Sequence, residues 1–379
     1  MTRSPLALDG SATPGAEAVA ELPGRIGPLH LPAMEETSRR LDRLTKPPGS
    51  LGVLEALAIQ LAGIRGAPVT TVDQPAIAIF AADHGVTAQG VSPYPSEVTA
   101  QMVANFAAGG AAVNVLARAG RIDLLVVDIG VAGDGPVPAA PILSEPSSEP
   151  WTRVLRDRVA AGTRDLAVEP AMTRAEAIGA MAVGARVARE LIDGGCDLLG
   201  LGEMGIGNTT AASAIVAVLA DRAVADVTGR GTGLDDAGVA RKIAVIERAL
   251  DRHRLDAADP IAVLAAVGGL EIAGLAGAML AAAAVRVPVV LDGFITSAAA
   301  LVACVMASNL APRLIAGHRS SEPGHAIALA ALGLAPILDL GLRLGEGSGA
   351  ALAIPLVRAA ARVVGEMATF EGAGVADRA

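Results

Sequence analysis

Short apolar runs alternate with alanine-rich segments of helical periodicity from residue 74 onward, and this alternation limits the possible fold more than any other feature. The runs at residues 76–81, 124–129, 198–201 and 287–291 are rich in aliphatic residues, which is typical of buried β-strands. Strands that alternate with helices predict an α/β fold, with a parallel sheet and helices on both faces. A polar loop containing glycine follows each run. Because ligands of such sheets bind beyond the carboxyl ends of the strands, we expect these loops to line one crevice.

The composition indicates how the sheet is covered. Hydrophobic residues make up 52% of the chain but aromatic residues only 2%, and there are 44 glycines. The interior must therefore be filled by small aliphatic side chains and close glycine contacts, which suits helices packed tightly on a parallel sheet. The formal charge of −9 leaves no basic patch for a phosphate backbone, so we expect no nucleic-acid partner.

The chain ends and the longest apolar runs bear on where the protein resides. Residues 1–24 contain no continuous apolar stretch, so they predict a disordered extension rather than a signal peptide. The apolar runs at 272–285 and 293–307 are shorter than the roughly 18 to 20 residues that a membrane span needs, so we expect no span. The two cysteines match no metal-ligand spacing and indicate core thiols in a reducing compartment, which favours a cytoplasmic location.

Two segments outside the predicted sheet show different patterns. Residues 32–66 have helical periodicity interrupted at 45–50, where two prolines and a glycine predict a loop between two helices. Residues 136–164 are rich in Pro, Ser and charge, and we expect an irregular excursion there.

One of the glycine loops carries an unexpected acid. Residues 202–210 (Gly-Glu-Met-Gly-Ile-Gly-Asn-Thr-Thr) lead from a predicted strand into an alanine-rich helix that Asn208 or Thr209 can cap. Glycines such as Gly205 let main-chain amides approach a ligand, and the start of a helix favours negative charge. Glu203 does not suit a simple phosphate site, which suggests contact with a cationic ring, a sugar hydroxyl or a proton. An ordinary strand-to-helix turn is the alternative.

Two more segments contain features suited to anions. Residues 228–235 (Thr-Gly-Arg-Gly-Thr-Gly-Leu-Asp) precede a helix containing Lys242 and predict a phosphate nest, with a flexible loop and a solvated helix as the alternative. Residues 317–325 (Gly-His-Arg-Ser-Ser-Glu-Pro-Gly-His) combine two histidines with other polar groups. The spacing of these histidines fits no common metal-ligand pattern, so we expect no metal. Binding of anionic oxygens is favoured, and the histidines could simply hold the loop by hydrogen bonds.

A lone acid stands among glycines near the end of the chain. Residues 344–351 place Glu346 between Gly345 and Gly347, ahead of another alanine-rich helix. A carboxylate desolvated by a bound aromatic base would have its pKa raised toward neutrality, which suits a general base. A carboxylate that stabilises the start of the helix is the alternative.

Several common catalytic motifs do not occur in the sequence. There is no Gly-x-x-x-x-Gly-Lys-Ser/Thr loop for ATP and no Gly-x-Ser-x-Gly elbow of a hydrolase. The predicted strands that carry Asp128 and Asp292 lack the adjacent second acid of phosphoribosyltransferases that use magnesium and pyrophosphate. We therefore expect no cofactor, and a magnesium-diphosphate sugar donor is disfavoured.

Five segments in register resemble the nicotinate-nucleotide:dimethylbenzimidazole phosphoribosyltransferase family. They are residues 44–52 (Leu-Thr-Lys-Pro-Pro-Gly-Ser-Leu-Gly), 82–86 (Ala-Asp-His-Gly-Val), 202–210, 317–325 and 345–349. The match runs from about residue 31 to residue 371. The resemblance implies a doubly wound, mostly parallel α/β domain over residues 71–349 and a small helical domain from residues 25–70 and 350–379. It also implies a homodimer in which the partner subunit completes the cavity.

The resemblance assigns roles to individual residues. It makes Glu346 the general base and places Glu203 and Lys242 with it in the catalytic site. The residues expected around the phosphate and ribose, or in the glycine loops beside them, are Gly205, Gly231, Gly233, Asp292, Ser320, Gly347 and Gly349. The residues expected in the wall of the benzimidazole pocket are Ser92, Tyr94 and Gln101.

The implied reaction moves the 5-phosphoribosyl group of nicotinate mononucleotide to 5,6-dimethylbenzimidazole with inversion, a step in building the lower ligand of cobalamin. The products are α-ribazole 5′-phosphate and nicotinate. The donor's pyridinium becomes neutral when the glycosidic bond breaks, so neither metal nor pyrophosphate is required. Two alternatives stay open. The acceptor could be adenine, another benzimidazole or a phenol, or the chain could be a nucleotide-binding sensor without catalysis.

Overall fold

The computed structural model describes residues 15–68, 70–133 and 152–376. Six strands form one sheet: β1 (Pro75–Ala82), β2 (Asp123–Gly130), β3 (Thr152–Arg156), β4 (Leu198–Met204), β5 (Val289–Leu291) and β6 (Leu314–Ala316). Every neighbouring pair is parallel, and the strand order is β3-β2-β1-β4-β5-β6. The order reverses between β1 and β4, the position where sheets of this type bind ligands. The predicted α/β class is confirmed.

Helices cover both faces of this sheet. They are α1 (Ala16–Arg25), α2 (Leu31–Asp42), α3 (Val53–Arg65), α4 (Glu97–Ala107), α5 (Ala112–Gly120), α6 (Arg174–Asp193), α7 (Asn208–Leu219), α8 (Val224–Val227), α9 (Asp236–His253), α10 (Pro260–Val267), α11 (Leu270–Ala284), α12 (Phe294–Met306), α13 (Pro323–Leu332), α14 (Ser348–Glu366) and α15 (Phe370–Ala373). Short 3-10 turns occur at Gly85–Gln89 and Ala311–Arg313.

Each face of the sheet has its own apolar core, because successive side chains of a strand point to opposite faces. On one face, Phe80 and the residues at alternate positions pack under α6, α7, α10, α11 and α12. On the other face, Ile77 and Ile79 pack with α3, α5 and α14. Two separate cores on one parallel sheet are what a doubly wound arrangement requires.

Glycines allow two of the covering helices to approach each other closely. A side-chain carbon at Gly184 of α6 would overlap the main chain of Gly274 in α11. One at Gly277 of α11 would overlap the main chain of Met181 in α6. The expected close glycine contacts are therefore confirmed, and they explain how the interior is filled with so few aromatic side chains.

Three elements differ from the sequence-based expectation. Residues 16–24 of the expected disordered extension form most of α1, because Val19 and Leu22 are buried against α6 and α11, whereas residues 1–14 lie outside the described residues. The expected excursion at 136–164 contains the edge strand β3, whose two arginines interrupt any apolar run, and residues 134–151 lie outside the described residues. Strand β6 has three residues, too few to produce a periodic signal.

Helices from the two ends of the chain pack together without leaving the sheet. Helices α2 and α3 contact α14, and α14 also covers β4 and β5. The loop predicted between α2 and α3 is confirmed, and a buried ion pair of 2.8 Å between Lys46 and Glu55 fixes it. Because these helices share a core with the sheet, the division into a small helical domain and a catalytic domain stays a prediction.

Within the described part of the chain, two helical stretches are long and apolar enough to cross a membrane by length and composition alone. The stretch Glu97–Gly120 is divided into α4 and α5. The stretch Ser348–Glu366 is α14, whose residues facing the sheet are buried. Helices buried in a protein core satisfy the same criteria of length and apolar composition, so neither stretch establishes a membrane span.

Candidate active site

Loops at the carboxyl ends of β4, β5 and β6 meet around one narrow cavity. Its walls also include the starts of α7 and α12, the glycine loop before α9 and the loop before α14. Four of the predicted site residues line it, namely Glu203, Gly205, Gly231 and Ser320. The expected crevice is thus confirmed for the loops after β4 and β5, whereas the loops after β1 and β2 do not line this cavity.

Glu203 is a buried acid at the end of β4. It pairs in register with Phe80 of β1, and one carboxyl oxygen accepts a hydrogen bond from the side-chain amide of Asn208. Burial, followed by the negative charges of Asp292 and Glu271, raises the pKa of Glu203 well above its usual range. Burial and these charges therefore favour the protonated form of Glu203. Asn208 does not cap α7, contrary to the sequence interpretation.

Glu346 has an unusual backbone conformation in the loop before α14; it does not itself line the cavity, but the adjacent Gly345 does. The φ of Glu346 is 64°, and Gly345 and Gly347 on either side both have φ of 83°. Its amide donates to the carbonyl of Glu203 at 3.2 Å, which ties the loop before α14 to the end of β4. The residue is 7% exposed, and its Oε2 has no hydrogen-bond partner among the described residues. Burial, and then the charge of Asp292, raises the pKa of Glu346 to about 7.

Asp292, directly after β5, holds the loop that carries Glu346. Its Oδ1 accepts from the amide of Gly349 at 2.6 Å, and its Oδ2 accepts from the amide of Gly347 at 3.1 Å. Asp292 rather than Glu346 therefore satisfies amides at the start of α14. A side chain at Gly349 would overlap the ring of His318. These contacts occupy the two glycine amides, so a contact of Gly347, Gly349 or Asp292 with substrate stays a prediction.

Lys242 reaches the wall of the cavity although it lies in the second turn of α9. Its Nζ is 2.7 Å from the hydroxyl of Thr209, which lines the cavity at the start of α7. The side chain is fully buried, and burial lowers the pKa of Lys242 to about 8, against the raising effect of Glu322. Thr209 does not cap α7, contrary to the alternative raised by the sequence.

In the glycine loop before α9, the amides of Gly231 and Gly233 have acceptors within the protein. The amide of Gly231 donates to Oε1 of Glu322 at 2.9 Å, and the amide of Gly233 donates to the carbonyl of Arg230 at 3.0 Å. Gly231 lines the narrow cavity, whereas Gly233 lines a neighbouring larger one. A phosphate contact of this loop therefore stays a prediction.

The start of α12 and Ser320 form another wall of the same cavity. Phe294 and Ile295 bring the start of α12 to it, and Ser320 lies beside them. The start of a helix favours negative charge. The amide of Ser320 donates to His325 at 2.8 Å, so the expectation that His325 holds its loop by hydrogen bonds is confirmed. Burial lowers the pKa of His325 to about 3, so its ring is uncharged.

The residues predicted for the benzimidazole pocket do not line this cavity. Tyr94 is 51% exposed and its amide donates to the hydroxyl of Ser92 at 3.1 Å, while Gln101 is exposed on α4. Helix α4 does reach the site, because the hydroxyl of Thr99 accepts from the amide of Ile206 at 3.1 Å. The role of Ser92, Tyr94 and Gln101 stays a prediction.

No group of three or more His, Cys, Asp or Glu residues suited to a metal ion occurs within residues 15–68, 70–133 and 152–376. A doubly wound sheet with a cavity at the carboxyl ends of its strands, lined by the buried acid Glu203 and close to Asp292 and Glu346, defines an α/β protein with a candidate active site.

The comparisons with known proteins give the family. The family model described as Phosphoribosyltransferase matches residues 26–375. The nicotinate-nucleotide–dimethylbenzimidazole phosphoribosyltransferase of Roseiflexus sp. (strain RS-1) is 53% identical over 95% of this chain and 98% of its own. That of Chloroflexus aggregans (strain MD-66 / DSM 9485) is 55% identical over 93% of this chain and 96% of its own. The chain belongs to this phosphoribosyltransferase family, and the predicted recognition and enzyme class are confirmed.

A solved structure agrees with this assignment. The crystal structure of CobT from Thermus thermophilus is similar to this chain with a TM-score of 0.84 and 46% identity, covering 92% of this chain and 100% of that one. The likeness therefore extends over the sheet and the helices from both chain ends.

Proposed function

We propose that this enzyme transfers the 5-phosphoribosyl group of nicotinate mononucleotide to 5,6-dimethylbenzimidazole with inversion. The products are α-ribazole 5′-phosphate and nicotinate. The names of the relatives support these substrates. The observation that carries the proposal is Glu346, a buried acid with a pKa of about 7 and one oxygen without a described partner. A general base works best when its pKa lies near the operating pH.

The proposed step needs only one proton acceptor. A ring nitrogen of the benzimidazole forms a bond to C1′ of the ribose while the bond from C1′ to the nicotinate nitrogen breaks. The electron pair of the broken bond returns to the nicotinate ring and neutralises its positive charge. Glu346 takes the proton from the other benzimidazole nitrogen, which would otherwise leave a cationic product.

The charges around the cavity suit this donor. The charge of Asp292 raises the pKa of both Glu203 and Glu346, so the three acids lie close together and positive charge between them would be stabilised. The donor, nicotinate mononucleotide, has a positive charge on its pyridinium ring. In the transition state this positive charge spreads toward C1′ of the ribose. The donor's phosphate would lie beside Ser320 at the start of α12, since the start of a helix favours negative charge.

We also propose that the enzyme acts as a homodimer in the cytoplasm. Leu340 and Leu344 are 57% and 55% exposed, and Leu344 lines the cavity. A partner subunit that covered these side chains would remove apolar surface from water and close the cavity. The exposed Tyr94 would be buried in the same way if it contributes to the base pocket.

The choice of substrates can be tested by supplying nicotinate mononucleotide with a panel of bases in the absence of added metal. We expect 5,6-dimethylbenzimidazole to release nicotinate and to form a product whose α linkage is visible by NMR. Release with adenine, another benzimidazole or a phenol, but not with 5,6-dimethylbenzimidazole, would favour the alternative acceptors. Binding of the donor without release in the presence of any base would favour the sensor.

Two groups, Glu346 and Lys242, should determine how kcat/KM depends on pH. Glu346 must be deprotonated to act as a base, so kcat/KM should rise about tenfold per pH unit below its pKa of about 7. Lys242 should be protonated to attract an anionic donor, so kcat/KM should fall above its pKa of about 8. Initial rates between pH 5 and 10 test this expectation. A flat profile between pH 5 and 7 would contradict the assignment of Glu346.

A further inference from the structure

A fully buried ion pair lies where the strand order of the sheet reverses, between β1 and β4. His84 follows β1, and its Nε2 is 2.7 Å from Oε1 of Glu271 in the first turn of α11. Both side chains are fully buried, and neither residue lines the narrow cavity. Burying two ionisable groups costs free energy. The mechanism proposed above nevertheless gives this pair no task.

The ring of His84 is packed between two glycines. A side-chain carbon at Gly205, which lines the narrow cavity, would lie 3.4 Å from both Cδ2 and Nε2 of the ring. A side-chain carbon at Gly269, directly before α11, would overlap Cε1 of the ring. The ring therefore lies against the loop after β4 on one side and against the start of α11 on the other.

Glu271 fixes the orientation of this ring. Its Oε1 occupies Nε2 of His84, whereas Nδ1 of His84 and Oε2 of Glu271 have no hydrogen-bond partner among the described residues. Burial lowers the pKa of His84, but the charge of Glu271 and the hydrogen bond to it outweigh burial and raise the pKa above its usual value. The carboxylate is also favoured by its place in the first turn of α11.

The pair is close to Glu203, the buried acid of the cavity. The negative charge of Glu271 is one of the charges that favour the protonated form of Glu203, and such effects require a short separation. Glu203 and Gly205 belong to the same end of β4. The pair therefore supports this segment through the contact of the ring with Gly205 and acts on its acid through the charge of Glu271.

We propose that His84 and Glu271 are positioning residues that hold the loop after β4, and with it Glu203, at the wall of the cavity. This inference rests on the proposed function. Glu271 fixes the plane of the ring, and the ring supports Gly205 while substrates bind. An apolar pair of similar size would fill the space without fixing the orientation of a ring. A displacement of about 1 Å in an active site can cost about a hundredfold in rate.

The test compares the double variant His84→Phe/Glu271→Met with the single variant Glu271→Gln. Replacing both members of a buried ion pair by apolar residues of similar size often leaves stability unchanged. The kcat of the double variant should fall about tenfold to a hundredfold, while the KM for nicotinate mononucleotide stays within about threefold, because neither residue lines the cavity. Glu271→Gln keeps an acceptor for Nε2 of His84, so its kcat should stay within about threefold of the wild type.

Hydrogen exchange reports on the loop without turnover. The amide of Ile206 donates to the hydroxyl of Thr99 at 3.1 Å, and the amide of Asn208 donates to the carbonyl of Gly205 at 3.2 Å. Both amides should exchange about tenfold faster in the double variant and at the wild-type rate in Glu271→Gln.

If the double variant does not fold, His84→Gln takes its place. Its amide group can still donate to Glu271, but it has no ring to lie against Gly205. The same faster exchange and a kcat about tenfold lower are then expected.

Asp197→Asn is the matched control. Asp197 directly precedes β4, at the end of the strand opposite to Gly205, and its carboxylate accepts from the amides of Asp73 and Gln74 at 2.7 and 3.1 Å. This variant removes a half-buried charge from the same strand without touching the pair. Its kcat and the exchange of the Ile206 amide should match the wild type.

Three results would overturn the proposal. They are a wild-type kcat in the folded double variant, a KM that rises about tenfold with kcat unchanged, and a loss of kcat in Glu271→Gln as large as that in the double variant. If the wild-type enzyme releases no nicotinate with any base, the proposed function is wrong, whereas hydrogen exchange still shows whether the pair holds the loop. If it releases nicotinate and the double variant matches it in kcat and exchange, only the role of the pair is wrong.

Discussion

Replacing Glu346 with Gln should lower kcat by about a hundredfold to ten-thousandfold, the usual cost of losing a general base, while both substrates still bind. Gln has the same size and can adopt the same backbone conformation, but its amide cannot take the benzimidazole proton. The rise of the rate toward pH 7 should disappear with the same substitution, since Glu346 is the group assigned a pKa of about 7. Single-turnover release of nicotinate and calorimetric binding of each substrate measure the two parts of this expectation.

Glu366→Gln, at the far end of the helix that follows Glu346, provides the control. Glu366 lies at the end of α14 with its side chain 68% exposed, and it pairs only with Arg362 at 3.7 Å in the described residues. Its substitution should leave both kcat and the pH profile unchanged. If Glu346→Gln kept more than a tenth of the wild-type kcat, Glu346 would not be the base.

Much of the fold could be predicted from the sequence because it depends on local patterns. The four apolar runs correspond to β1, β2, β4 and β5, and the paired prolines at 47 and 48 mark the break between α2 and α3. The features that were not predicted depend on tertiary contacts. Helix α1 forms where Val19 and Leu22 dock on other helices, and β3 needs β2 as a neighbour to become a strand.

The site residues also divide into those that local sequence patterns indicate and those that depend on tertiary contacts. Glu203 and Glu346 could be singled out because each is a lone acid among glycines, which is visible in the sequence. The glycine loop before α9 was expected to hold a phosphate, but Glu322 lies 91 residues away from Gly231 in the chain and occupies its amide. Glu322 lies within residues 317–325, a segment that the sequence analysis singled out. No local pattern, however, indicates which polar side chain of that segment reaches another loop. This pairing depends on the packing of α13 against α8, which directly precedes the glycine loop.

Replacing Asp292 with Ala should combine a loss of stability with a loss of activity. Three buried amides, those of Gly347, Gly349 and Ala350, would lose their acceptor, which should lower the free energy of unfolding by on the order of 3 kcal/mol. The loop that carries Glu346 would then be held less firmly, and kcat should fall about a hundredfold, as expected when a catalytic group is misplaced. Chemical denaturation and steady-state kinetics measure these two effects.

Asp292 acts on Glu346 in two ways, by holding its loop and by its negative charge. The pH profile of the variant separates these two effects. Its negative charge raises the pKa of Glu346, so Asp292→Ala should lower that pKa and move the rising part of the profile to lower pH. Asp259→Ala is the control, because Asp259 caps α10 by accepting from the amide of Ala262 at 3.1 Å and does not line the cavity. That variant should lose about 1 kcal/mol of stability, typical of a lost helix cap, with no change in the profile. An Asp292→Ala enzyme whose profile stayed in place would show that Asp292 acts on Glu346 through geometry and not through charge.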